Sequence, residues 1–130
     1  MAKLHAIGPK WRHADLYNST FVCAGNIIQI TLTTLDKSSE NMAFIFFEDH
    51  PSFRCVGADN YPEMNAAYRE NPGYLAYRVE GGVFLDNFFA EAEPIYKRDE
   101  LQHFFILTSE DAYDVISYEE PLVLRPGSTD

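Results

Sequence analysis

Basic residues are scarce in this chain. Ten Lys and Arg stand against 20 Asp and Glu, which sets the formal charge at −10 and the pI near 4.7. Phosphate binding rests on Lys and Arg neutralising phosphates, so the balance argues against nucleic acid as a partner. It argues equally against an anionic membrane surface. Long apolar runs are missing too: no stretch approaches the ~18 residues of a membrane span. The opening Met1-Ala2-Lys3-Leu4-His5 has no apolar run of the signal-peptide kind. A cytoplasmic, reducing compartment is the expectation. Cysteine is sparse, with only Cys23 and Cys55. Both sit in apolar, strand-like stretches and are expected to be reduced and buried.

Catalytic and metal motifs are also absent. The histidines are His5, His13, His50 and His103, and no pair has metal-ligand spacing. His50 follows Glu48 and Asp49, a trio that reads first as a solvated turn. His103 opens an apolar strand and reads as a satisfied strand-end histidine. Gly81-Gly82 lacks the lysine of a phosphate loop, and there is no Gly-x-Ser-x-Gly elbow. The acidic pairs Glu91 with Glu93 and Glu119 with Glu120 lie in charge-dense, loop-like context. No metal, no cofactor and no catalytic residue is therefore expected. A site assembled from distant residues, His50 or His103 included, stands as a lesser reading.

What is present is core-forming material. Hydrophobic residues make up 46% of 130 residues, with ten Phe, eight Tyr and one Trp. That suffices for one domain over 1–130 without metal or disulfide. Ile28, Ile30 and Leu32 alternate with Gln29, Thr31 and Thr33, the period of a half-buried strand. Gly25-Asn26 before it suits a hairpin turn. The run 42–47, apolar on both faces, reads as a central strand covered on both sides. Residues 53–56 and 75–79 read as further strands. Gly81-Gly82 between alternating runs predicts a hairpin returning through 83–89. The stretch 102–108, a short polar loop and 112–118 form another hairpin, and 122–124 is a short final strand. One helix is predicted near 61–70: Asp59 or Asn60 caps it, Pro62 opens it and Asn71-Pro72-Gly73 stops it. Trp11 reads as a packing anchor. The predicted class is mainly β (α+β), an antiparallel sheet curled into a sandwich or partly open barrel with one principal helix.

Tyrosines beside acids are the one recurring chemical pattern. The clusters are Tyr61 with Glu63, Asp111 with Tyr113 and Asp114, and Tyr118 with Glu119 and Glu120. Tyrosine and carboxylate together suit a surface that grips Arg or Lys. The plainer reading is that Tyr caps the edge of a β core and that acids keep the surface hydrated.

The closing segment, His103-Phe104-Phe105-Ile106-Leu107-Thr108 through Asp114-Val115-Ile116-Ser117 and Glu120-Pro121, resembles the last hairpin of small acidic bacterial immunity proteins. Those proteins neutralise polymorphic toxins by tight binding. The resemblance covers roughly the final third of the chain and implies a basic protein partner. The expected function is thus an acidic, immunity-type binding domain. The alternative is a β-barrel or sandwich that holds a small molecule in an aromatic-lined pocket.

Overall fold

The computed structural model describes residues 2–10, 18–33, 42–48, 52–91, 95–108 and 110–124. Predictions for Trp11, His13, His50, the polar loop after residue 35 and the C-terminal tail lie outside these residues.

Two antiparallel sheets stack as a sandwich and do not close into a barrel. One has four strands in the order β2 (Asn18–Ala24), β3 (Ile27–Thr33), β4 (Met42–Glu48) and β9 (Leu122–Leu124). The other has five: β1 (Lys3–Lys10), β6 (Tyr74–Glu80), β7 (Gln102–Leu107), β8 (Asp111–Ser117) and β5 (Ser52–Gly57). Two nine-residue helices, α1 (Pro62–Glu70) and α2 (Val83–Glu91), belong to the connections between strands of the five-stranded sheet.

The alternation in β3 does what its period requires. Ile28, Ile30 and Leu32 are fully buried, and the residues between them stay partly open. They meet Ala43, Ile45 and Phe47 of β4 and Phe104, Ile106, Tyr113 and Val115 of the five-stranded sheet, forming the core between the sheets. The opposite face of the five-stranded sheet is covered by α1, whose Met64 and Ala67 pack on Leu4, Tyr77, Val79, Phe105 and Ala112. At ~25 cal/mol per Å² of apolar surface, these two interfaces supply the bulk of the driving force for folding.

The hairpins predicted around Gly25-Asn26 and over 102–118 are present as 18–33 and 102–117, each with continuous register. Gly25 has φ 61°, the left-handed conformation a two-residue turn demands. In the second hairpin Thr108 clamps the turn: its hydroxyl accepts from Asp111 N at 2.9 Å, and its N–H donates to Asp111 O at 2.8 Å.

Four expectations need correction. Residues 83–91 form α2 rather than a returning strand. Gly81, at φ 80°, ends β6, and Phe84, Leu85, Phe88 and Phe89 repeat at helical spacing, which the Gly-Gly signal masked. The cap of α1 is Tyr61, with no side-chain cap bond, while Asp59 and Asn60 belong to a preceding 3-10 turn. Strand β4 is covered on its inner face only: Phe44 and Phe46 are half-buried, stacked at 6.4 Å on the outer face. Cys23 and Cys55 are exposed, not buried. They lie on β2 and β5, the edge strands of the two sheets. The segment 3–10, which has no clear period, is a strand because it completes the sheet beside β6.

Candidate binding site

The eight residues singled out from sequence do not form one surface. Tyr113 is 3% exposed and lies in the core between the sheets, stacked on Phe21 at 5.8 Å. Asp114 is fully buried. Neither offers a surface to a partner. Tyr61 is half-buried at the head of α1, with Glu63 exposed in its first turn. Asp111 is half-buried at the start of β8, and Tyr118, Glu119 and Glu120 are exposed after its end.

Asp114 instead centres an ionic cluster on the helix-covered face, in which Asp114 and His103 are buried and the Arg54 side chain is 41% exposed. Register sets it directly across from Arg54 of β5 and from Phe105 of β7. Arg54 donates to Asp114 Oδ2 from Nη2 at 2.9 Å and from Nε at 3.3 Å, and from Nη2 to the Tyr61 hydroxyl at 2.9 Å. His103 Nε2 donates to Asp114 Oδ1 at 2.5 Å. A buried carboxylate persists only when paired and hydrogen-bonded, and this one has both oxygens engaged. Phe84 of α2 roofs the cluster, 4.8 Å from the Arg54 guanidinium and 5.3 Å from the His103 ring. His103 Nδ1 is buried without a partner. It faces Gly82, where a Cβ would stand 3.2 Å from it. Glycine at this position lets the chain leading into α2 pass close to the ring.

The cluster shifts Tyr61 and Arg54 in the same direction, upward. Burial, followed by the Asp114 charge, pushes the Tyr61 hydroxyl far above the usual tyrosine range, against the opposing pull of Arg54. For Arg54, burial works against the charged form, but the hydrogen bond and charge of Asp114 outweigh it and the guanidinium is held more firmly protonated. The chemistry of the cluster is thus mutual satisfaction under a roof.

An open site lies on the other side of the molecule. A groove of about 450 Å³ on the outer face of the four-stranded sheet is lined by Ile27, Phe46, Leu122, Leu124, Glu48, Glu119 and Glu120. Strand pairing builds it. Phe46 lies across from Leu122, Phe44 across from Leu124, and Ile27 across from Glu48. Side chains alternate along a strand, so these residues share the outward face. Ile27, Leu122 and Leu124 are 44, 58 and 43% exposed, high for large aliphatic side chains. Glu119 and Glu120, two of the residues picked from sequence, stand at one end with Glu48. The sequence reading missed the apolar floor. Its signal was the pair Phe44 and Phe46, which make β4 apolar on both faces.

Among the described residues no group of three or more His, Cys, Asp and Glu side chains is placed to hold a metal ion, and no helix is long and apolar enough to cross a membrane. Comparison with protein-family models, curated proteins and solved structures found no match to the chain.

Proposed function

We propose that this chain is an acidic binding protein that neutralises a basic protein partner, seated in the groove between β3, β4 and β9. The observation that carries this reading is the joining of an exposed apolar floor to three carboxylates in one groove, on a chain of net charge −10. Apolar anchors supply affinity, whereas charge complementarity governs encounter rate and specificity. An apolar patch rimmed by polar groups marks an interaction surface on a protein of this size. The resemblance of the closing hairpin to immunity proteins leads to the same kind of partner. The His103–Asp114 pair plays a structural part in this reading, because Asp114 is held by both Arg54 and His103 and the His103 ring lies against Phe84.

Surface plasmon resonance with a synthetic peptide of alternating Leu and Lys tests the proposal. Replacing Glu48, Glu119 and Glu120 with Gln should slow association and flatten its salt dependence. Leu122→Ala should speed dissociation and weaken binding by about 2 kcal/mol if it is a central anchor. The control neutralises three carboxylates on the α1 side, with Asp59→Asn, Glu63→Gln and Glu70→Gln. It matches the net charge of the groove variant and should leave binding nearly unchanged. Equal losses from both triple variants would reduce the effect to overall charge and overturn the groove as the site.

A further inference from the structure

We infer that the partner's segment binds as an extended strand added to the open edge of β9, a claim that rests on the groove being the binding site. Strand β9 ends the four-stranded sheet, and among the described residues its outer edge has no ladder partner. An edge strand presents unpaired backbone N–H and C=O groups as a template for another chain. Natural edges are guarded by charge, proline, bulges or brevity. Leu122-Val123-Leu124 carries no charge and no proline, and only its three-residue length guards it. A strand that docks there must therefore draw on side-chain anchors as well as backbone bonds.

The outward face supplies those anchors in order. Thr31, Phe44 and Leu124 form one cross-strand row, and Gln29, Phe46 and Leu122 form the next. Beyond them lies the acidic end, with Glu48 on β4 and with Glu119 and Glu120 preceding β9. The apolar part of each row lies at the β9 side, while Thr31 and Gln29 on β3 are polar. An occupant that maximises apolar contact therefore sits over the sheet edge rather than across its middle. Rows along a strand are about 6.8 Å apart, two residues at ~3.4 Å each. A strand added to β9 continues the rows. It sets one apolar side chain beside Leu124, the next alternate one beside Leu122 and a Lys or Arg at the following alternate position, against the glutamates. The partner chemistry is thus apolar-x-apolar-x-basic in an extended segment, with main-chain bonds giving affinity and alternate side chains giving specificity.

The probes are the peptides Leu-Thr-Leu-Thr-Lys-Thr-Lys and its reversed order, which cover both strand directions. Each is made with backbone N-methyl groups on either of its two alternating residue sets. A strand uses only one edge against β9. Methylating the set that faces the protein should weaken binding about ten-fold or more through lost hydrogen bonds. Methylating the other set should leave it within about two-fold, since those amides face water. Leu122→Ala and the Glu119→Gln, Glu120→Gln double variant show whether the peptide occupies the groove. Binding that depends on these side chains, with the two methylated sets alike, overturns strand addition and leaves the groove reading standing. Peptides that bind indifferently to the groove variants, or do not bind, overturn both.

Discussion

The outer faces of the two sheets begin from similar strands and end differently. Strands β7, β8 and β4 all carry large apolar residues on both faces. On the five-stranded sheet the outward Phe105 and Ala112 are buried under α1, and Asp114, the one buried carboxylate among the described residues, is held by Arg54 and His103 beside Phe84. On the four-stranded sheet the outward Phe44 and Phe46 are half-buried beside the leucines of β9, and no helix of the described residues packs on them. The strands' own pattern does not decide which face is covered. The connections do: α1 joins β5 to β6 and α2 joins β6 to β7, all strands of the five-stranded sheet. Burial on one sheet accordingly makes a stability element, and exposure on the other leaves the apolar groove proposed as the partner's seat.

The sharpest test of that division compares Asp114→Ala with Leu122→Ala. Removing Asp114 strands the His103 Nε2–H, 1% exposed, and deprives Arg54 of its counter-charge. The Arg54 side chain is 41% exposed, so water screens its loss, and the main cost is the stranded His103 donor, about 1–3 kcal/mol against the ~5–15 kcal/mol expected for a domain. Leu122 is 58% exposed, so its truncation should change stability by no more than about 0.5 kcal/mol. Urea unfolding with unchanged m-values would report both. Equal losses would mean that the groove is part of the core and that the two faces do not divide the work.

Sequence made one face legible and hid the other for a physical reason. Period-two alternation marked β3, strand-like arms around a short polar loop marked the last hairpin, and Pro62 with Asn71-Pro72-Gly73 marked α1. These are local signals. The partner of Asp114 lies 60 residues away on β5, and only register brings the two together. Asp114 therefore looked like one more surface acid beside Tyr113. The helix α2 was hidden because Gly81-Gly82 speaks for a hairpin, whereas its helical spacing becomes decisive only once His103 and Arg54 give Phe84 something to cover. In the groove, Glu119 and Glu120 were visible as charges. Ile27, Phe46 and Leu122 come from three strands whose adjacency no local pattern states.

A smaller effect sharpens the account of the covered face. Tyr61 is held protonated well above its ordinary value near 10, first by burial and then by Asp114, and burial does the same for Tyr77. The unfolded chain gives up these protons near pH 10 while the folded state keeps them. Their stabilisation is complete below pH 10 and is lost progressively as the pH rises above it. Tyr61→Phe removes the hydroxyl that accepts from Arg54 and should cost about 1 kcal/mol at neutral pH. It should also make the alkaline decline shallower than in the parent protein. Urea midpoints measured on either side of pH 10 would show it. Parallel declines in the two proteins would remove Tyr61 from the account.

The smallest expected effect concerns the side of the sandwich where β2 and β5 form the sheet edges. There Phe21 and Phe53 meet at 4.9 Å, and Cys23 and Cys55 are exposed without forming a disulfide. Both thiols stand on edge strands, so they test whether edge position sets accessibility. Two thiols should react with dithionitrobenzoate in the native protein, with no need for denaturant. They should not react alike. Burial raises the Cys55 thiol above its ordinary value, nearby Asp111 adds to the shift, and a hydrogen bond with Tyr113 works against it. The thiolate is the reacting form, so Cys55 should be slower than an unhindered thiol near neutral pH and should gain rate as the pH rises. Cys23→Ser isolates that phase and Cys55→Ser removes it. A protein that releases its thiols only on unfolding would show that both edges are closed, and the exposure of β2 and β5 would then have to be given up.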